Sequence, residues 1–195
     1  MATIGEEIVE LPEGTSLRLL RKETMKCPMC GKETLEVSIY TYNMPMIGDV
    51  VFVVGKCKNC GYKFVDVKTL ESKGNQKITF KVKDSKDLNT LLLRSSTATL
   101  EIPELEAEIS PGPASQGFLT TVEGVLHRIK DVLEMLCRDA ETEKEKEECE
   151  RRLKDLQAAL EGKKEFTIII RDPEGHSKIA SEKAVEEIQQ EGMKQ

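Results

Sequence analysis

The chain has 195 residues, 38% of them hydrophobic and 33% charged, with a formal net charge of −6. That length supports one good core plus a small satellite unit. No apolar run approaches the roughly 20 residues of a membrane span, and the acidic balance disfavours whole-surface binding to nucleic acid.

In chain order, the first residues carry Ile4, Glu6, Glu7 and Glu10. They lack the basic start and apolar stretch of a secretory signal, so a cytoplasmic setting is expected. Residues 18–68 are mildly basic, with nine Lys/Arg against five Asp/Glu. They hold two cysteine pairs and three strand-like runs, Leu35–Tyr42, Val50–Val54 and Tyr62–Val67. A β-rich unit this small has little core of its own, which a bound metal commonly offsets. After a polar stretch at 71–75, further strands are predicted at 76–83, 88–94, 97–102 and 105–109, with Pro103 ending the third. Residues 110–117, rich in Ser, Pro and Gly, read as a loop.

Two helices follow. Thr120 with Glu123, and Thr142 with Glu145, have capping-box spacing. Val122, Val125, Leu126, Ile129, Val132, Leu133 and Leu136 recur at helical intervals in the first helix. The second carries Cys149, Leu153, Leu156 and Leu160 on one side, and Gly162 is a natural stop. The short polar join predicts an antiparallel hairpin. The chain then returns to β structure at Phe166–Ile170, turns at Asp172-Pro173-Glu174-Gly175, and is expected to come back as a strand at His176–Ala180. The last fifteen residues read as a weak helix or a frayed tail.

Cys27-Pro28-Met29-Cys30-Gly31 and Cys57-Lys58-Asn59-Cys60-Gly61 are matched knuckles. Two residues between cysteines let both sulfurs of a tight turn face one point, and the following glycine permits positive φ. Two such turns complete a tetrahedral four-thiolate site, predicting one structural Zn²⁺ on Cys27, Cys30, Cys57 and Cys60. Four protein ligands leave no open position for water, so the ion would not be catalytic. The other readings are a redox dithiol, an unmetallated cluster or an iron centre. Cys137 and Cys149 read as small core residues of the helical hairpin, with a disulfide between them as the alternative.

The sequence offers little for an enzyme. His127 reads as a helix-surface residue and His176 as a strand-end residue, and neither has a base–nucleophile constellation. No glycine-rich phosphate loop follows a strand. The glutamates of 141–150 read as a solvated helix face.

Several strings, in order, carry a resemblance: Cys60-Gly61-Tyr62-Lys63, Arg94-Ser95-Ser96, Ile102-Pro103-Glu104-Leu105, Ile109-Ser110-Pro111-Gly112, Gly117, Thr120-Thr121-Val122-Glu123-Gly124-Val125-Leu126 and Ile170-Arg171-Asp172-Pro173-Glu174-Gly175-His176-Ser177. Over about residues 24–180 the chain resembles the ZPR-type zinc finger family, in the single-module form found in archaea. The resemblance implies a mainly β fold with an inserted α-helical hairpin: a four-Cys zinc finger followed by a double-stranded β-helix domain. The expected divisions are an N-terminal extension (1–19), the zinc finger (20–68), the β-helix domain (69–180, hairpin at about 120–162) and a polar tail (181–195). It further implies a non-enzymatic module that binds a translation elongation factor 1-alpha-type GTPase as a folding or assembly factor. Where relatives often have an Ile-Pro-Tyr-Phe-like segment, this chain has Asn43-Met44-Pro45-Met46-Ile47-Gly48, so Met44 and Met46 form an adaptable apolar patch or pack inside the finger. The alternative function is an RNA- or ribosome-binding zinc ribbon, motivated by Lys22, Lys26, Lys32, Lys56, Lys58 and Lys63. The modest local charge and the lack of interleaved aromatics count against it.

Overall fold

The structure, a computed structural model, describes residues 8–10 and 16–189. Their strands form three antiparallel sheets. The first contains, in spatial order, β1 (Ile8–Glu10), β2 (Ser16–Met25), β3 (Leu35–Met44), β4 (Gly48–Cys57) and β5 (Lys63–Thr69). The β-branched and aromatic runs of β3 and β4 form a ten-rung hairpin from Leu35↔Cys57 to Met44↔Gly48. Its turn uses Met46 at φ 65° and Gly48 at φ 98°. Met44 is half-buried, whereas Met46 is 64% exposed, so only one of the two methionines packs inside. Strand β2 is not legible in the sequence, because a register shift between Leu19 and Arg21 breaks its alternation. It begins at Ser16, so the sheet takes in residues on both sides of position 20.

The remaining strands are β6 (Gln76–Val82), β7 (Leu91–Arg94), β8 (Thr99–Ile102), β9 (Ala107–Ile109), β10 (Phe118–Thr121), β11 (Phe166–Asp172), β12 (Lys178–Ile179) and β13 (Val185–Ile188). They form a three-stranded sheet, β10-β7-β12, and a five-stranded sheet, β13-β6-β11-β8-β9. Alternating residues of both sheets, among them Ile78, Phe80, Leu92, Leu100, Phe166 and Ile170, share one fully buried core. This is the double-stranded β-helix, or jelly roll, with the helical hairpin inserted between β10 and β11.

Four expectations about secondary structure need correction. The 88–94 run is a strand only from Leu91, because Asp87–Asn89 form a 3₁₀ turn held by the Asp87 side chain. The His176–Ala180 segment does not pair with β11. Only Lys178 and Ile179 are strand, and they cross to β7. The first helix is capped by Thr121, whose hydroxyl accepts from the Gly124 N–H; Thr120 belongs to β10, one residue earlier. Part of the C-terminal stretch is an edge strand, β13 on β6. Glu186 is paired with Lys73 and Lys178, and Glu187 with Lys77, which a composition-based reading does not foresee. Residues 190–195 of that stretch lie outside the described residues.

The hairpin comprises α1 (Val122–Arg138) and α2 (Glu143–Leu160), the latter with the complete Thr142/Glu145 capping box. Its root is core: Val122, Val125, Leu126, Leu156 and Ala159 are buried. Its far half is not, with Ile129 and Leu133 half-buried and Val132, Met135 and Leu136 over half exposed. Cys137 and Cys149 are not core residues. They are half-exposed near the tip, 5.7 Å apart at Cα, and joined by a disulfide. No helix of the described residues is long and apolar enough to cross a membrane.

Two loops of the jelly roll, one after β7 and one after β11, are tied together at Asp172, which is fully buried. Its carboxylate accepts hydrogen bonds from Ser95 Oγ (2.9 Å), Thr97 Oγ1 (3.1 Å), Ser177 Oγ (2.6 Å) and the N–H groups of Glu174 (3.1 Å) and His176 (2.9 Å). Burial pushes its pKa up, but the hydrogen bonds from Ser177, Ser95, Glu174 and Thr97 outweigh burial and hold it below the usual carboxylate range. Arg94, 2% exposed, sits behind this cluster and feels the Asp172 charge.

Asp172→Asn places an amide donor among five donors. It is expected to cost about 3 kcal/mol or more in chemical denaturation. Because the folded pKa is depressed, the wild-type contribution is present above the unfolded carboxyl pKa and is lost as pH falls through the folded one. The wild-type–variant gap should therefore close in acid. In the hairpin, Leu126→Ala should cost about 2–5 kcal/mol, and Leu136→Ala should stay within about 0.5 kcal/mol.

Candidate metal centre

The two knuckles have the same backbone. In the first, Cys27 N donates to Lys32 O (2.8 Å) and Gly31 N to Cys27 O (2.9 Å); in the second, Cys57 N donates to Tyr62 O (2.8 Å) and Gly61 N to Cys57 O (3.1 Å). Gly31 and Gly61 stand at φ 71° and 75°, the left-handed region a tight turn back needs. An added Cβ would meet nothing within 4 Å at either position, so glycine is required by the backbone angle and not by crowding. The turns release N–H groups toward sulfur: Lys32 toward Cys30, Asn59 and Cys60 toward Cys57, and Tyr62 toward Cys60.

The β3–β4 hairpin brings the knuckles together. Leu35 lies opposite Cys57, and Leu35 and Val37 pack beneath the buried Cys27 and Cys57. Lys58 N donates to Thr34 O (2.9 Å), and Lys32 Nζ to Asn59 Oδ1 (2.9 Å), so each knuckle holds the other. Thr34 Oγ1 lies 3.2 Å from Cys57 Sγ. No local pattern marks Thr34; only its place at the mouth of the hairpin brings it to the sulfur.

All four sulfurs lie within 4.8 Å of one another, positioned to hold a metal ion. Cys27 Sγ is 3.7 Å from Cys60 Sγ, and Cys30 Sγ is 3.7 Å from Cys57 Sγ. A tetrahedron with Zn–S bonds of about 2.3 Å has edges of about 3.8 Å, so these contacts match a four-thiolate zinc site. The proton affinities are divided. The Thr34 hydroxyl, with the knuckle N–H groups, lowers Cys57 to about 6. At Cys60 the Tyr62 N–H pulls the pKa down, but burial and the other three sulfurs outweigh it and push it up to about 12. Four like charges this close resist joint ionisation, and a divalent cation is what makes all four thiolates favourable.

The histidines take no part. His127 is on the exposed face of α1, 4.0 Å from Glu123. His176 Nδ1 bonds to Thr69 O at 2.9 Å, joining the jelly roll to the end of the finger sheet. Among the described residues the four cysteines are the one His/Cys/Asp/Glu cluster arranged to hold a metal.

Residues 86–194 match the ZPR1 jelly-roll domain. The chain is 40% identical over 167 residues to an uncharacterised ZPR1-like protein of Methanocaldococcus jannaschii, covering 85% of this chain and 84% of that one. It is 39% identical over 162 residues to a second uncharacterised ZPR1-like protein, of Pyrococcus horikoshii, covering 80% and 72%. Similarity extends to the zinc finger chaperone zpr1 of Schizosaccharomyces pombe, 36% identical over 154 residues, where it spans 75% of this chain but 33% of that protein. None of these names is that of an enzyme.

Metal analysis of the purified chain is the test of the cluster. The expected result is bound zinc, at about one ion per four-thiolate site, lost in Cys27→Ser and Cys60→Ser and kept in Cys137→Ser. Full metal occupancy in Cys27→Ser would remove Cys27 from the ligand set.

Proposed function

The chain belongs to the ZPR1 family, and from that premise we propose that it is a zinc-stabilised protein-interaction module that binds a translation elongation factor 1-alpha-type GTPase as a folding or assembly factor. Cys27, Cys30, Cys57 and Cys60 hold one structural zinc ion in this reading. The observation that carries it is the closed four-sulfur cluster, which has a ligand for every tetrahedral position and none left for a reacting group. The name of the fission-yeast relative, a zinc finger chaperone, supports a role in folding other proteins. The GTPase comes from the family resemblance, and a cytoplasmic setting goes with it.

The finger is built to be held at a fixed angle, as a composite binding face requires. Val50 and Val67 of the finger sheet and Leu93 of β7 share a buried cluster. Gly117 sits so close to β5 that an added Cβ would run into the Val67 carbonyl, and its N–H donates to Asp66 Oδ1 at 2.5 Å. Of the lysines that motivate RNA binding, Lys32 and Lys58 are occupied by Asn59 and Glu36.

Calorimetry with the purified elongation factor of the same organism tests the proposal. A direct complex is expected that weakens when a chelator removes zinc, because the finger loses its fold with the metal. It should tolerate moderate salt, whereas phosphate contacts weaken steeply. Absence of a complex at micromolar concentration in every nucleotide state, with tight salt-sensitive RNA binding, would replace this reading by the RNA-binding one.

A further inference from the structure

Two cavities meet on one side of the molecule. The first, of about 370 Å³, is a groove between α1 and the 105–109 segment; its apolar walls include Leu105, Ile109, Ile129 and Leu133. The second, of about 440 Å³, lies between Phe52 and Val65 of the finger sheet and Leu119 of β10. Phe118 and Arg128 line both. Val65 is 50% exposed at one end of this track and Leu136 58% at the other. The apolar face of the finger sheet begins inside the buried cluster at Val50 and Val67 and continues outward through Phe52 and Val65. The track therefore extends an internal interface.

Its lining carries Glu106 and Glu108 as well as Arg128 and Arg152, and the two arginines differ. Arg152, at the groove rim, is taken by Glu106 (2.7 Å) and Glu148 (2.6 Å). Arg128 lies against Phe118, 4.9 Å from the ring centroid, and has no carboxylate within ion-pair distance among the described residues. A guanidinium stacked on an aromatic ring is weakly hydrated and oriented, suited to a planar carboxylate. The groove also has strand edges. Among the described residues β9 ends one sheet and β10 ends another, each paired on one side. An extended chain laid along β9 could add a strand there.

We propose that this track docks an extended apolar segment of a partner polypeptide, with a carboxylate of that segment seated on Arg128. The inference deepens the protein-binding reading above by naming the chemistry of the bound segment, and it does not depend on which protein supplies it.

The probe is a dye-labelled heptapeptide of alternating valine and leucine with a central glutamate, together with its glutamine and lysine counterparts, titrated against the full chain by fluorescence anisotropy. The glutamate peptide should bind about tenfold or more tighter than the lysine peptide. Arg128→Glu should reverse that order, and Leu136→Asp should weaken all three. Both side chains are exposed, so the melting temperature should fall by no more than a few degrees, the loss of the Arg128–Phe118 contact included, and serves as the folding control. Absence of binding, equal binding of the three peptides, or an order that survives Arg128→Glu overturns the proposal. So does concentration-dependent dimerisation abolished by Leu136→Asp without peptide binding, which would make a second copy of the chain the occupant. If the elongation-factor complex forms and the peptides do not discriminate, the partner stands and this site fails. If the peptides discriminate as expected and no such complex forms, the site stands and the partner fails.

Discussion

Asp172 has no exposure to water, yet it is ringed by five hydrogen-bond donors, and the arrangement of the other parts follows from that. A carboxylate can remain charged in such a place only if its oxygens are fully accepted by donors. The donors come from two distant segments: Ser95 and Thr97, between β7 and β8, and the 174–177 turn after β11. Satisfying one side chain therefore fixes where both sheets of the jelly roll turn. The same turn reaches the finger. His176 O accepts from Thr69 N, Gly175 O accepts from Lys73 N, and Ser177 O accepts from the buried Gln76 side chain. Loss of the charge would loosen three parts of the molecule at once.

β7 shows how the finger and the jelly roll become one rigid unit. Its alternation sends Leu92 into the jelly-roll core and Leu93 into the cluster with Val50 and Val67, so both faces of the strand are buried. The zinc knuckles sit at the far end of the finger sheet, stabilised by their own turn geometry and by the small cluster of Leu35 and Val37. Cysteine cluster and jelly-roll contact thus lie at opposite ends of one sheet.

The hairpin is different in kind. Its root belongs to the core and its outer half carries exposed apolar residues, with the Cys137–Cys149 disulfide closing the tip. A helix pair whose distal half buries so little is held there by the covalent link and by surface ion pairs. Those around Glu148, Arg151 and Arg152 are worth little individually in water.

Much of this was legible in the sequence. The spacing of Cys27, Cys30, Cys57 and Cys60, the β-branched runs of β3, β4, β6 and β11, and the helical periodicity of α1 and α2 are local signals, set by the reach of a turn or the period of an element. The knuckle glycines could be read because a positive φ is a property of single residues. The sequence could not decide what depends on partners distant along the chain. Strand β2 hides behind a bulge, β13 exists because β6 offers an edge and lysines, and Lys178–Ile179 cross to β7 because Ser177 must reach Asp172. Cys137 and Cys149 read as core residues of the hairpin, but whether they met a core depended on how far the hairpin projects beyond it. The resemblance strings carrying Ser95 and Asp172 marked the family without revealing their reason. Only the closed fold places a carboxylate and its donors, 75 residues or more apart for Ser95 and Thr97, in one dry pocket, where each must satisfy the other.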